Sequence, residues 1–535
     1  MNNIVSDVAD NSLAITKWQR LSPLSVIFFI GKLLTKIVKD MLPGLAPLGV
    51  LVFSSDNKSL ILILFAIAVS SVILLSSFLQ YWFFKYKQEG DKVLINDGVF
   101  NKNKRVISFE RIQNINILQP IYFKYFGLVT LQIQTAGAKG NEADLAGIPE
   151  SLANSLRNTI LEKKSQILNN QSKDSQLKGG SIDASANDSL QQETNLLASA
   201  SLIDLMKYGI SSNGMFWFFV ILTPILGMLD DILEKVFTNE DMQSVIELLG
   251  GGLSGKIISV FLFIFSIIIL MFIFSIIGAV FRYYRYQLIQ TVSQSKNTQD
   301  CLVVDKTLKR TSGLLTSYEE SLKLNKIQSF IAQTNIIGKW LSVEHITLGQ
   351  VSSGQKNQPQ KPSLFIIPAR EIEQTQSLLK HVFNDAPDEI ETQGISKRYI
   401  HKTIILKLFL PSLIICLPIT FINQNYWLGL IPIIVPAIFF PLVYRRWKAY
   451  RYGIKDGYAR FERGLFGYRH ITFPTYKVQR VEVRQSPIQR RRNLSTLKVY
   501  LASNQVKMQF IPFDEANKWL EEINKAIHND KRDWY

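Results

Sequence analysis

Cysteine and histidine are scarce in this sequence. Its 535 residues include two cysteines, Cys301 and Cys416, and five histidines. Two cysteines can form neither a disulfide framework nor a four-cysteine zinc site. The histidines are scattered, and none has a cysteine or carboxylate at ligand spacing. The sequence therefore predicts no metal site and no cofactor.

Motifs of catalysis are also lacking. No G-x-S-x-G segment occurs, and the one stretch that satisfies G-x-G-x-x-G, residues 250–255, follows no strand and is interpreted as a flexible turn before a helix. The carboxylates of the DDILE segment at 230–234 are interpreted as a solvated loop. The protein is therefore predicted not to be an enzyme.

Hydrophobic residues make up 47% of the chain and are gathered into blocks. A membrane-crossing helix needs about 20 apolar residues, and 60–84, 257–281 and 426–444 meet that requirement clearly. Weaker apolar runs precede them at 37–54, 209–228 and 403–422. The sequence thus predicts six membrane helices in three hairpins.

The segment 24–39 places Lys32, Lys36 and Lys39 at helical spacing on one face of an apolar stretch. This pattern is typical of a helix that lies in the membrane interface. A cleavable signal peptide is the alternative, although no cleavage site of small residues is obvious.

Basic residues flank the hairpins, whereas the hairpin tips are neutral or acidic. Lys85 and Lys87 follow the first hairpin, Arg282 and Arg285 follow the second, and a basic cluster that includes Arg446 follows the third. Because lysine and arginine near span ends stay in the cytoplasm, both termini and all segments between hairpins are predicted to be cytoplasmic. Much of the formal charge of +17 is then a topology signal.

One short motif occurs three times, as RIQNINILQP at 111–120, KIQSFIAQTN at 326–335 and KVQRVEVRQSP at 477–487. A glycine lies 15 residues before the first glutamine of each copy, which indicates a shared supersecondary layout. Two readings stay open: the glutamines bond the backbone at a bend, or they line a recognition surface. The motif glutamines are Gln113, Gln119, Gln328, Gln333, Gln479 and Gln485.

The residues around each motif alternate between apolar and polar side chains, as in the strand predicted from Val129 to Ile133, and each copy ends in a proline followed by an amphipathic helical pattern. This layout resembles the bacterial pleckstrin-homology (PH) domains of the membrane-flanked type. The resemblance is carried by DGVF, RIQ, LQP and GIPESL in the first copy and by RGLF, KVQ, RQSP and FIPFDEA in the third.

The resemblance implies membrane α-helical hairpins plus an α+β fold, with three PH-like β-barrel or β-sandwich domains, each closed by a C-terminal helix. The middle copy departs most, since its two glutamines are five residues apart instead of six and 351–363 is interpreted as an inserted loop.

The predicted organisation has seven parts. The polar, low-complexity segment between the first domain and the second hairpin is interpreted as a flexible linker, which would let the first unit move relative to the others. The parts are an interfacial helix and first hairpin (1–85), a first PH-like domain (86–165), the linker (166–200), a second hairpin (201–285), a second domain (286–390), a third hairpin (391–445) and a third domain (446–535).

A basic cluster in the third copy is the candidate binding site. Contact with anionic lipid headgroups, a solvated loop, and a protein partner all remain open, while nucleic acid is not expected because stacking aromatic residues are not interleaved. The cluster consists of Arg480, Arg484, Arg490, Arg491, Arg492 and Lys498.

We therefore expect a non-catalytic, multi-pass protein of the bacterial inner membrane that presents its domains as a scaffold for lipids or proteins, for example in envelope integrity. A membrane-protein partner or a second copy of the chain is possible. The alternative is a transporter or lipid-handling protein, but ionisable residues, which transport sites usually need, are rare in the spans, with Lys407 the main exception.

Overall fold

A computed structural model of the chain describes residues 18–37, 58–99, 101–135, 143–160, 192–212, 252–296, 302–350, 364–423 and 426–529. The predicted spans at 37–54 and 209–228 and the predicted inserted loop at 351–363 lie almost wholly outside these residues.

The described strands fall into three units with the same order of elements. In unit 1 they are β1 (Gln19–Arg20), β2 (Lys85–Glu89), β3 (Lys92–Asp97), β4 (Asn103–Ser108), β5 (Ile112–Pro120), β6 (Leu128–Thr135) and β7 (Ala143–Pro149). In unit 2 they are β8 (Gln192–Ser199), β9 (Gln287–Lys296), β10 (Leu302–Ser312), β11 (Thr316–Lys323), β12 (Ile327–Thr334), β13 (Val343–Gln350) and β14 (Leu364–Glu371). In unit 3 they are β15 (Gln393–Gly394), β16 (Arg451–Lys455), β17 (Tyr458–Arg463), β18 (Tyr468–Pro474), β19 (Val478–Arg484), β20 (Leu494–Leu501) and β21 (Gln505–Pro512).

The described helices occupy matching places in the units. In chain order they are α1 (Ser25–Lys36), α2 (Lys58–Phe83), α3 (Ile121–Lys124), α4 (150–160), α5 (Leu202–Ser211), α6 (Gly252–Tyr283), α7 (Ile336–Trp340), α8 (Ile372–Val382), α9 (Arg398–Thr403), α10 (Leu410–Asn423), α11 (Ile431–Lys448), α12 (Pro487–Arg490) and α13 (Phe513–Asn529). A π-helical stretch, Ile404–Phe409, joins α9 to α10.

Three helical stretches of the described chain are long and apolar enough to cross a membrane: Ile257–Tyr283, Arg398–Ile422 and Tyr426–Lys448. They coincide with the spans predicted at 257–281, 403–422 and 426–444. The predicted span at 60–84 is helix α2, whose apolar part Ile67–Phe83 is shorter. Helix α1 occupies the place of the predicted interfacial helix and packs on α2. Its Phe29 ring lies 6.2 Å from the ring of Phe84, the residue that follows α2.

The first and second strands of each unit are antiparallel neighbours, and the membrane helices are inserted between them. Gln19 pairs with Tyr86, Leu196 with Ile289, and Gln393 with Tyr452. This corrects the predicted boundaries: each β-unit begins before its hairpin, and 192–199, part of the predicted linker, is strand β8.

Two of the four described sheets are shared between units. Their orders are β7-β6-β5-β11-β10-β9-β8 and β14-β13-β12-β18-β17-β16-β15, whereas β1 to β4 and β19 to β21 form smaller sheets. The fifth strand of units 1 and 2 therefore pairs with the fourth strand of the following unit.

The contacts at the two junctions are alike. Asn114 of unit 1 donates to Gln350 of unit 2 at 3.1 Å, and Ser329 of unit 2 lies 3.1 Å from Ser503 of unit 3 through their hydroxyl oxygens. Arg157 also forms an ion pair with Glu319 across the first junction. The prediction that the linker lets unit 1 move independently is therefore wrong, because strand pairing holds unit 1 against unit 2.

The constant glycine spacing has a steric cause. Gly98, Gly313 and Gly464 lie in the turn between the third and fourth strands, and a Cβ atom there would collide with a carbonyl oxygen three residues further along. Gly98 and Gly313 also have φ values of 100° and 116°, a backbone conformation that glycine adopts at little cost.

Candidate functional site

The first glutamine of each motif lies at a β-bulge. Strand pairing skips from Ile112 to Asn114 in unit 1, and the same shift occurs around Gln328 in unit 2 and Gln479 in unit 3. A bulge bends its strand and increases the local twist. The side chains themselves differ in exposure, because Gln328 is fully buried and Gln479 is exposed. The shared feature is the backbone bulge.

The second glutamine ties two strands together. Gln119 Nε2 donates to the Leu128 carbonyl at 3.5 Å, and Gln485 Nε2 donates to the Leu494 carbonyl at 3.1 Å. In unit 2 the bond to the corresponding carbonyl, that of Val343, comes from Thr334 Oγ1 at 2.7 Å. Gln333 is therefore not the counterpart of the other two glutamines, which explains its shorter spacing.

The predicted basic cluster divides into two parts. On β19 and β20, Arg480 and Arg484 pair with Glu482 at 2.5 and 2.7 Å, and Lys498 lies 4.0 Å from the same carboxylate. Desolvation opposes ionisation of Glu482, but its hydrogen bond to Arg484 and the charges of the three basic residues lower its pKa overall. This carboxylate offsets part of the positive charge that the sequence suggested for the strand face.

The other part of the cluster is the turn that contains α12. Arg490, Arg491 and Arg492 are all exposed. A reciprocal capping interaction between Ser486 and Gln489 begins the helix, and Gln489 also donates to Thr496 at 3.0 Å. The turn is thus anchored by polar bonds while its arginines extend into solvent.

The structure reveals a second basic site, which lines a cavity. A cavity of about 1010 Å³ lies between units 2 and 3, where the helices α6 and α11 leave their apolar stretches. Phe274, Gly278 and Ala279 of α6 form an apolar wall, while β13 and the turn between β17 and β18 form the polar wall.

Four arginines converge on this cavity: Arg282 from the end of α6, Arg446 from the end of α11, and Arg463 and Arg469 from the β17–β18 turn. No carboxylate is among the described residues that line it. Arg463 and Arg469 are direct cross-strand partners, an arrangement that is destabilising for like charges. The corresponding pairs in the other units are Asp97 with Asn103 and Ser312 with Tyr318.

Several other polar groups of the cavity already have partners. Ser211 Oγ lies 3.0 Å from His345 Nε2, and Ser275 Oγ donates to the Gly209 carbonyl at 2.6 Å. By contrast, the buried Nε of Arg469 has no hydrogen-bond partner among the described residues. Burial, and then the charge of Arg463, lowers the pKa of Arg469. An anion in the cavity could accept a hydrogen bond from this nitrogen, and its negative charge would offset the repulsion between Arg463 and Arg469.

The arginines can therefore bind a compact anion, and the position of the cavity beside α6 favours a ligand that also has an apolar part. Guanidinium groups bind phosphate through paired hydrogen bonds, while the α6 wall offers apolar contact at the end of a membrane-crossing stretch. This combination suits an anionic phospholipid. The sequence signal was available, since Arg463 and Arg469 flank a turn that lacks arginine in the other copies, but Arg282 and Arg446 appeared only as topology signals.

Comparison with known proteins supports the fold. Residues 30–164 and 405–527 match the family model for the bacterial PH domain. Both matched regions are similar to bacterial PH domains. These two matches cover most of units 1 and 3, and they confirm the resemblance drawn for the first and third copies.

The chain is also 23% identical over 398 residues to the UPF0699 transmembrane protein YdbT of Bacillus subtilis (strain 168). The match covers 73% of this chain and 75% of the relative. Together with the three apolar helical stretches, it identifies this chain as a membrane protein. No solved structure matches it significantly.

Proposed function

We propose that the protein is a non-catalytic membrane scaffold that binds anionic phospholipid headgroups in the cavity between units 2 and 3. The observation that carries this proposal is the convergence of Arg282, Arg446, Arg463 and Arg469 at the ends of two membrane-crossing stretches, without a carboxylate among the described lining residues. The fatty acyl chains would lie along the apolar part of α6.

All three units are PH-like domains in this proposal, including unit 2, which the family model does not match. Unit 2 has the same seven-strand order as units 1 and 3 and is followed by α8 in the place of α4 and α13. Strand pairing between units makes the three domains one scaffold, so their hairpins are kept at fixed separations. The domains and both termini face the cytoplasm of a bacterial cell, as the charge asymmetry predicts.

Lipid binding can be tested with the full-length protein in nanodiscs. The double variant Arg463→Gln/Arg469→Gln is compared with the parent for retention of phosphatidylglycerol over phosphatidylcholine, measured by native mass spectrometry after mild delipidation. We expect the parent to retain phosphatidylglycerol selectively and the double variant to lose at least tenfold in selectivity.

The matched control is Arg490→Gln/Arg491→Gln/Arg492→Gln, which removes three charges from the exposed turn. Exposed charges near a membrane contribute about 1 kcal/mol each and are screened by salt, so this variant should keep the retained lipid and lose only a salt-sensitive surface attraction. Equal selectivity in the parent and the cavity variant would reject the cavity. Loss in the control alone would assign the lipid to the turn.

A further inference from the structure

At each end of the row of domains, the described chain leaves unused the strand edge that forms the junctions between units. In the two internal junctions, β5 pairs with β11 and β12 pairs with β18. The equivalent strands at the ends are β4 of unit 1 and β19 of unit 3. Among the described strands, β4 pairs only with β3, and β19 pairs only with β20. Open edges of this kind are templates for further strand pairing.

The two internal junctions use the same register. Gln119 lies opposite Ser317 in the first junction, and its counterpart Thr334 lies opposite Tyr468, the counterpart of Ser317, in the second. The next pair of each junction is also equivalent: Leu118 lies opposite Tyr318, and Gln333 lies opposite Arg469. This repeated register defines how β4 of one copy would pair with β19 of another.

If β4 of one copy pairs with β19 of another in this register, complementary side chains lie opposite one another. Arg105 would lie opposite Glu482, and Val106 opposite Val481. Val106 is 48% exposed on its strand, an apolar side chain that pairing would cover. Arg484 would lie opposite Asn103, whose own cross-strand partner is Asp97. No two like charges would lie directly opposite each other on the paired strands.

In the two existing junctions, the position equivalent to Glu482 on the fifth strand of the unit is buried. The counterpart of Glu482 is Ile331 in unit 2 and Asn116 in unit 1, and both are buried. In unit 3 this face of β19 carries the charged residues Arg480, Glu482 and Arg484, which already neutralise one another in part. A partner strand with Arg105 and Asp97 on the matching face supplies the complementary charges.

We propose that copies of this chain dock head to tail in the membrane, with β4 of one copy added to β19 of the next. Because the two surfaces differ, the interface is heterologous and generates a ring or an open row of copies. The hairpins confine this assembly to the membrane plane. This proposal does not depend on lipid binding in the cavity.

The polarity of the interface can be tested by disulfide crosslinking of full-length protein in native membranes. Cys301 and Cys416 are first changed to Ser. Chains with Val106→Cys and one affinity tag are then co-expressed with chains with Val481→Cys and a second tag, and a mild oxidant is added. We expect covalent dimers that carry both tags, at least tenfold more abundant than dimers with two copies of either tag.

The matched control replaces Val481→Cys with Lys507→Cys, an exposed position on β21, and should give only background dimers. Dimers at equal yield in both experiments, or no dimer with two tags in the first, would overturn the proposal.

A charge exchange supplies an independent measurement in detergent. Arg105→Glu and Glu482→Arg should each lower the dimer fraction at least fivefold, because each places like charges opposite one another. Mixing the two variants should restore the dimer fraction, since the head of either variant then meets an opposite charge on the tail of the other. If the mixture stays monomeric while the crosslink with two tags forms, the docking of β4 on β19 stands, but an ion pair between Arg105 and Glu482 does not stabilise it. Failure of both measurements would reject the docking.

Discussion

Ile331 of unit 2 lies directly opposite Ile471 of unit 3, and both side chains are buried in the core of unit 3. Strand β12 thus serves two domains: Phe330 and Ala332 face the core of unit 2, while Ile331 faces that of unit 3. A change at such a junction should therefore affect both units together.

Lys477 offers a direct test of this coupling. Its ammonium group is buried and donates to the carbonyls of Asn325 and Ile327, both at 2.7 Å. Lys477→Met would leave these carbonyls without that donor, which typically costs about 1–3 kcal/mol. We expect a lower free energy of unfolding for units 2 and 3 in detergent. Lys507→Met, at an exposed position, should leave it unchanged, and equal effects would contradict the assignment.

Close helix packing beside the cavity gives a second prediction. A Cβ atom at Gly209 would lie 2.6 Å from the Cα of Ile276, whereas a Cβ at Gly278 would meet nothing within 4 Å. Gly209→Ala should therefore separate α5 from α6 and destabilise the protein by about 1–3 kcal/mol. Gly278→Ala on α6 is the matched control. Thermal unfolding in detergent measures both, and a neutral Gly209→Ala would mean that α5 shifts without cost.

His470 should make the protein sensitive to acid. Its Nδ1 accepts a hydrogen bond from Arg460 at 2.7 Å, and burial, followed by the charge of Arg460, lowers its pKa to about 4. The unfolded chain takes up this proton near pH 6.5, so the contribution of His470 to stability is present above that pH and is lost as the pH falls to about 4. The loss is about 3 kcal/mol at most.

His470→Gln keeps an acceptor for Arg460 but does not titrate. Between pH 6.5 and 4 the unfolding midpoint of this variant should fall less than that of the parent. Comparing the two proteins removes the contribution of other groups such as Glu344, whose pKa burial raises. Parallel curves would show that His470 is not the sensitive group.

Cleavage between units 1 and 2 should not separate them. With a protease site inserted at 175, within the segment between α4 and β8, the two fragments should remain associated in mild detergent because β5 stays paired with β11. Co-purification of the fragments through a tag on one of them measures this. Dissociation at neutral pH without denaturant would show that the chain connection, and not strand pairing, holds unit 1.

Membrane topology can be checked with reporter fusions. The basic residues that flank the hairpins predict that fusions at Ser55, Thr238 and Asn423 report the outer face and that fusions at Asn170 and Tyr535 report the cytoplasm. A domain found on the outer side would reject the proposed orientation.

The sequence by itself determined the three membrane-crossing helices that the structure describes and the strand-rich units. An apolar run such as that of α6 specifies a membrane-crossing helix through its length and composition, and the alternation along β6 specifies a strand with one buried face. The glycine spacing was also readable, because a turn that excludes Cβ atoms fixes glycine at a set distance from the following bulge.

Only the tertiary structure decided which strands are neighbours. The apolar run from Phe330 to Ala332 in β12 indicates a strand that is buried on both faces, but it does not encode that one face packs in another unit, because the local pattern carries no information about the pairing partner. For the same reason, the insertion of the hairpins between first and second strands was not predicted. Arg282 and Arg463 are far apart in the chain, and they line one cavity because the pairing of β12 with β18 brings α6 beside the turn of unit 3.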